Sequence, residues 1–475
     1  MKRTALFRAD KGRGLIIGNM AQVAFFGILS AAAIFLMIPM ESIAVPFFIA
    51  FWVLAGCLII HCGFDFDVRN EARNLFYLSF FIYLIYSLIT YYGCVDDPEN
   101  TFFMSLDSTV YYKTAMDLGD QGSAANIWNT AFTEYQYSEF PLYAFFIGII
   151  ERTGRLLGGG GYLIQKMHVV FVSAMIPVFL FGMLCQYIEK KKAWRAALLY
   201  TLGSFTLFFS AQFMRDPHIS FLYAGVLFLI HKKGRTWGVT LLGWLLCLTC
   251  YYIRVEHGLF LFLLYSSCFF TDLLNKFKKN PYIGAAVVGT ILLAGGILAY
   301  SLLSDRISTV GQSMTAYADR NISLASSDSI GAKLAKLPSG IRQVVCGAYS
   351  QLQPFPLWYY FAADYQTKNQ WLCFPVVACS FTSFFSWVFI AFGMTAKSVR
   401  ARCPRLILVQ AGLALILVMG ASAEINLRRM YCIYPSIYLL AAYCYFTNKQ
   451  PKSGMVWAGI CAFIGLHLLY CLFKG

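Results

Sequence analysis

Long stretches with few or no charges recur along the whole chain, near residues 15–39, 44–63, 74–92, 166–187, 236–253, 281–303, 371–395 and 455–473, and no other feature limits its fold as strongly. Most of them have about the 18 to 25 residues that an α-helix needs to cross roughly 30 Å of hydrocarbon. Inside a bilayer every backbone N–H and C=O must find its partner within the segment, which selects helices. Composition agrees: of 475 residues 59% are hydrophobic, 17% aromatic and only 13% charged, and the mean hydropathy is +0.61. Soluble domains carry roughly a quarter charged residues. The expected fold is an all-α polytopic integral membrane protein, a single transmembrane domain over 1–475.

Basic residues orient such a chain, because loops rich in Lys and Arg stay cytoplasmic. Met1–Arg13 is basic and precedes a long apolar run with no small-residue cleavage site, so we expect an uncleaved first helix with its N-terminus inside. Three crossings then deliver residue 93 outside. Segment 93–140 holds eight carboxylates against Lys113 alone, a net of −7, leaving +22 for the rest of a chain whose total is +15. That asymmetry fits an outer loop.

The apolar piece 141–157 resembles a further span, but counting it would place Glu189–Arg195 outside. We therefore read it as an interfacial helix with Glu151, Arg152 and Arg155 on its wet side. The basic clusters His231–Arg235, Lys276–Lys279, Lys397–Arg405 and Lys449–Lys452 then all fall inside. Spans are expected near 196–213, 218–231, 236–253, 257–272, 281–303, 371–395, 405–422, 430–446 and 455–473, about thirteen in all. The first outer loop, 93–165, bears interfacial helices; the second is 304–370. Parity leaves the C-terminus outside.

On this map the polar residues gather at outer turns: Arg215-Asp216-Pro217-His218, Arg254-Val255-Glu256-His257, and Glu424 with Asn426, Arg428 and Arg429. Such turns can simply be solvated caps, yet outer turns rich in Arg run against the orienting rule and suit an anionic ligand. Ionisable groups at membrane depth mark function by default. The aromatic run at 354–360, with Trp358, serves as an interfacial belt or as a substrate platform.

Other signals carry less. The excess positive charge sets orientation and does not call for nucleic acid. Most of the fifteen Cys lie in apolar runs, Cys247 and Cys250 included, and act as small hydrophobes. Asp65-Phe66-Asp67 falls in a cytoplasmic turn, Asp96-Asp97 starts the outer loop before Pro98, and His168 is read as packed. The four glycines 158–161 lack the Lys-Ser/Thr end of a phosphate loop and are read as a flexible break.

The order of an acidic loop with Leu106-Asp107-Ser108-Thr109-Val110-Tyr111-Tyr112-Lys113, then Pro141-Leu142-Tyr143, then a span ending in a basic turn, then Arg215-Asp216-Pro217 resembles the GT-C fold glycosyltransferases that use polyprenyl-phosphate sugars. Protein O-mannosyltransferases and lipid A aminoarabinose transferases belong to that group. The resemblance implies a GT-C-like bundle with Asp107 and Asp216 at the catalytic centre. Ser108 stands where many members carry Glu, and two additional N-terminal spans preserve the sidedness.

The chemistry this implies is transfer of a sugar from a polyprenyl-phosphate donor to a hydroxyl of a glycan, lipid or protein, with inversion, on the outer face of a plasma membrane. Asp107 would act as base. Arg215, Arg254, Arg428 or Arg429 would hold phosphate, whose oxygens match the planar guanidinium fork. Asp97, Tyr111, Tyr112, His218, Glu256, His257 and Trp358 are candidate lining residues. A membrane-soluble donor needs no nucleotide-binding domain, in keeping with the lack of Walker or Rossmann glycine patterns. No cofactor or metal ligand set is called for, and a divalent cation stays open. A glycan polymerase is a close variant, and a flippase or transporter of lipid-linked saccharide is a reading of another class.

Overall fold

The computed structural model describes residues 42–94, 106–134, 140–232, 236–276, 334, 336–338, 340–352, 355–358, 370–421, 427–449 and 452–474. The expected spans 15–39 and 281–303, the acidic pair Asp96-Asp97, Glu424 and most of the second outer loop lie outside them. All regular structure among the described residues is helical. Five helices are long and apolar enough to cross a membrane: Ala44–Gly63, Arg69–Gly93, Tyr162–Leu184, Phe374–Thr395 and Lys452–Leu472. The protein is thus a helical membrane protein. These residues form two compact units. The first holds those up to Cys185 with Glu189–Leu202 and Thr206–Pro217, and the second holds Gln186–Ile188, Gly203–Phe205 and those from His218 on.

In the first unit the helices are α1 (Ala44–Gly63), α2 (Arg69–Cys94), α3 (Leu106–Gly119), α4 (Ala124–Thr133), α5 (Pro141–Leu156), α6 (Tyr162–Leu184) and α7 (Lys190–Gly203, to Leu202). All 23 residues of α6 are buried, Lys166 and His168 among them. A helix enclosed on every side must be apolar all round, as its sequence nearly is. Around it, Trp52 of α1 stacks on Phe171 at 4.9 Å, and Phe76 of α2 meets the same ring edge-on at 6.5 Å. Gly56 lets α1 approach α2, since a Cβ there would lie 2.6 Å from Phe76 Cε1. A polar stripe on α2 finds partners inside the unit: Ser79 Oγ and Thr201 Oγ1 are 3.0 Å apart, Tyr83 donates to Thr201 O at 3.1 Å, and Lys166 Nζ donates to Thr90 Oγ1 at 3.0 Å.

The expected single span at 196–213 is broken. Helix α7 stops at Gly203, a short helix α8 covers Phe205–Phe209, and residues 210–215 are non-helical. Ala211, Gln212, Phe213 and Met214 are nonetheless buried. Irregular backbone at membrane depth is tolerated where protein encloses it. Local bonds satisfy part of it: Gln212 N–H donates to Phe209 O at 3.1 Å, and Ser210 Oγ to Leu207 O at 2.7 Å.

The second unit contains α9 (Asp216–His231, from His218), α10 (Trp237–Ile253), α11 (Val255–Lys276), α12 (Ile341–Ser350), α13 (Phe374–Thr395), α14 (Lys397–Arg400), α15 (Arg405–Ala421), α16 (Leu427–Met430), α17 (Tyr434–Thr447) and α18 (Lys452–Lys474). Helices α10 and α11 pack as a hairpin in which Tyr265 fills the space over Gly243 and donates to Thr240 O at 3.1 Å. Helices α9, α15 and α17 are tied by a buried polar chain. Tyr187 O–H meets His231 Nδ1 at 2.5 Å, His231 Nε2 meets Gln410 Oε1, and Gln410 Nε2 donates to Ser436 Oγ at 3.1 Å. Trp237, Leu241, Leu245 and Leu248 leave one stripe of α10 exposed, and Trp457, Ile464, Leu468 and Leu472 do so on α18. Apolar stripes of this size are what a bilayer covers.

Candidate functional site

The charged stretch 215–218 opens a helix. Asp216 is the first residue of α9 and Pro217 the second. Proline suits that place because its missing N–H would have no partner there, and a carboxylate in the first turn faces the positive end of the helix dipole. Asp216 is only 4% exposed and His218 6%, while Arg215 is half-buried.

Within the first unit Arg215 and Asp216 lie beside an aromatic cluster built from α3, α5 and Phe213. The Arg215 guanidinium lies 5.6 Å from the centre of the Phe140 ring, a cation–π distance. Tyr111 of α3 stands edge-on to Tyr143 of α5 at 5.2 Å and to Phe140 at 5.4 Å. Phe213 contacts Tyr111, Tyr143, Tyr162 and His168 at 5.7 to 6.4 Å. His168 is thus packed, as its sequence context suggested. Burial, with Tyr111 and the Asp216 carboxylate adding to it, holds the Tyr143 phenol well above its ordinary value, against the opposing pull of Arg215. Asp107 is half-buried in the first turn of α3, one turn before Tyr111 and therefore on the same face. Tyr111 and Tyr143 thus link the Asp107 helix to Arg215 and Asp216.

Tyr112, next along α3, turns toward the head of α6. Its ring is edge-on to Tyr162 at 5.8 Å, and burial, then the Glu151 carboxylate, raise its phenol above the usual value. Here the expectation for α5 is corrected. Glu151 is not on a wet face but fully buried. Its Oε2 accepts from Gly161 N–H at 3.1 Å and Gln165 Nε2 at 3.2 Å, and its Oε1 from Arg155 Nε at 3.1 Å. It caps α6 in trans by accepting the backbone N–H of the N-cap residue Gly161, the part that a capping-box Glu plays from within its own helix.

Arg155 in turn pairs with Asp120 and donates to Met116 O at 3.2 Å, and Arg152 donates to Gln121 O at 2.6 Å. Two guanidinium groups of α5 so reach carbonyls at and just past the C-terminal end of α3, and Met116 O accepts from Asp120 N–H as well. The glycine run does break the chain between α5 and α6, and it packs closely there. Gly158 and Gly161 adopt φ of +87° and +121°, and a Cβ on Gly160 would press on Glu151 Oε1. Sequence reasoning missed Glu151 as a hub. The Glu-x-x-x-Arg spacing beside four glycines, which mark close backbone approach, was the signal.

The second unit holds the other predicted residues. Arg254 ends α10, and α11 begins at the next residue. Arg254 Nε and Glu256 Oε2 form a buried ion pair at 3.4 Å. His257 Nδ1 lies 3.6 Å from Cys432 Sγ, and Tyr223 donates to His257 O at 3.1 Å, two neighbours the sequence did not point to. Trp358 is 41% exposed and packs near His467 and Tyr470 at 5.6 and 6.3 Å. Arg428 is half-buried in α16; the side chain of Arg429 and all of Asp97 are outside the described residues. Asp65 and Asp67 are exposed in a turn, and among the described residues no three His, Cys, Asp or Glu are grouped to hold a metal ion. Comparison with protein-family models, curated proteins and solved structures finds no match.

Proposed function

We propose that the protein is a membrane glycosyltransferase that moves a sugar from a polyprenyl-phosphate-linked donor to a hydroxyl acceptor on the outer face of the membrane. The observation that carries the proposal is the pairing of Arg215 and Asp216 at the head of α9 with the enclosed Tyr143, which Tyr111 connects to the helix of Asp107. An acid and a cation at a helix head inside an aromatic wall suit a reaction in which a hydroxyl loses a proton while a phosphate gains charge.

In the proposed step Asp107 takes the proton of the acceptor hydroxyl as its oxygen bonds to the anomeric carbon. The bond from that carbon to the phosphate oxygen breaks, and polyprenyl phosphate leaves with the electron pair. Attack opposite the leaving group inverts the centre. Arg215 neutralises the leaving phosphate, with Arg254, Arg428 and Arg429 proposed as further phosphate ligands, and Asp216 serves as the second acidic residue. A transporter would concentrate ionisable groups at mid-span, whereas Asp216 and Lys166 stand within the first two turns of α9 and α6.

The test is Asp107→Asn and Asp216→Asn in the full chain reconstituted with polyprenyl-phosphate sugars. Loss of a proton acceptor is expected to lower transfer by about 10²- to 10⁴-fold. A correctly inserted Asp107→Asn variant with full transfer activity would remove Asp107 as the base. A wild-type chain inactive toward every such donor would remove the proposal.

A further inference from the structure

Four helices of the second unit converge at one end. In the last turns of α13 and α17, Gly393 lies against Cys444. Tyr443 of α17 donates to Arg402 O at 3.0 Å, three residues ahead of α15. Lys452, the first residue of α18, places its Nζ 4.7 Å from the ring of Tyr445 and 5.3 Å from that of Phe446. The ends of α13 and α17 and the starts of α15 and α18 are therefore neighbours.

Six cations stand there. Lys397, Arg400, Arg402, Arg405 and Lys449 are exposed and Lys452 is half-buried, its stem lying along the aromatic rings. The single-turn helix α14 sets the pattern: Val399 points into the protein, only 1% exposed, which leaves Lys397 and Arg400 outward. Not one Asp or Glu occurs in 370–421 or 427–474, and no ion pair involves any of the six among the described residues. Among the described residues nothing balances this charge.

Helices α13 and α18 are long and apolar enough to span a bilayer, so this end sits where hydrocarbon gives way to headgroups. We infer that it is a docking face for anionic phospholipid headgroups of the adjacent leaflet. Guanidinium forks match phosphate oxygens, and basic residues beside membrane helices are drawn to the negative potential of an anionic leaflet. Orientation alone would need only the charge; the grouping of four helix ends gives the headgroups a shared surface.

The experiment uses the full chain in detergent, with thermal denaturation followed on adding phosphatidylglycerol, phosphatidylcholine or inorganic phosphate. A ligand of the folded state raises the midpoint. Phosphatidylglycerol is expected to raise it by several degrees more than phosphatidylcholine, and high salt should erase the difference by screening. Lys397→Gln/Arg400→Gln and Arg402→Gln/Arg405→Gln should each lose about half of that excess. Native mass spectrometry of the wild-type chain from mixed bilayers provides a second measurement that needs no variant, and should show phosphatidylglycerol retained above its bulk share. Equal shifts with both lipids, retention at the bulk ratio, or variants that keep the full shift would overturn the inference. A shift reproduced by inorganic phosphate would instead assign a site for free anions.

Discussion

Replacing Glu151 by leucine removes the acceptor that three donors share at the head of α6. Gly161 N–H, Gln165 Nε2 and Arg155 Nε lie 3.1, 3.2 and 3.1 Å from its oxygens, and the side chain is wholly buried. A buried donor left without a partner costs about 1 to 3 kcal/mol. Removing one member of a buried charged pair costs about 3 to 5 kcal/mol. Arg155 is partly exposed and keeps Asp120 and Met116 O, so water and these partners offset part of its loss. The expected destabilisation of Glu151→Leu is therefore about 3 to 5 kcal/mol. Glu151→Gln keeps one accepting oxygen and should lose about half as much, roughly 1.5 to 2.5 kcal/mol. Equilibrium denaturation in mixed micelles measures both, and a cycle with Arg155→Leu should give a coupling of about 1 to 3 kcal/mol. Glu151→Leu within about 0.5 kcal/mol of wild type, the ordinary range for a surface substitution, would refute the trans-cap and return α5 to a helix with a solvated charged face.

The same joint predicts that Gly160→Ala destabilises by about 1 to 3 kcal/mol, because the new methyl meets a carboxylate already fixed by three donors. Gly122→Ala, with open space around its Cβ, should change little, and melting of the two variants side by side provides the check. The phenols of Tyr143 and Tyr112 ionise in the folded state only above their ordinary value of 10.0. Above about pH 10 the unfolded chain therefore binds fewer protons than the folded one, so stability falls as pH rises. Tyr143→Phe should flatten that decline in a stability–pH series between about pH 8 and 11, and an unchanged slope would show that the phenol is not enclosed.

Much of the helical framework was legible in the sequence. The expected spans at 44–63, 236–253, 371–395 and 405–422 correspond to α1, α10, α13 and α15 within a few residues. An apolar run of spanning length has one way to satisfy its backbone. The sequence also marked Arg215-Asp216-Pro217 as a break in that pattern, and proline with a preceding acid does open a helix there.

Burial of charge was not legible. Glu151 in an amphipathic helix looks solvated from its own neighbours in sequence, and the approach of Gly119 in α3, of Gly160 and Gly161 before α6 and of Gln165 in α6 encloses it. The break at 204, the enclosure of 211–214 and the contact of Tyr111 with Tyr143 likewise depend on which surfaces meet. Hydropathy and charge act locally along the chain and determine which segments are helices and which prefer lipid. Two of the three donors to the buried Glu151 carboxylate, Gly161 N–H and Gln165 Nε2, lie 10 and 14 residues further along the chain, beyond its own helix, and tertiary packing alone decides that they meet it.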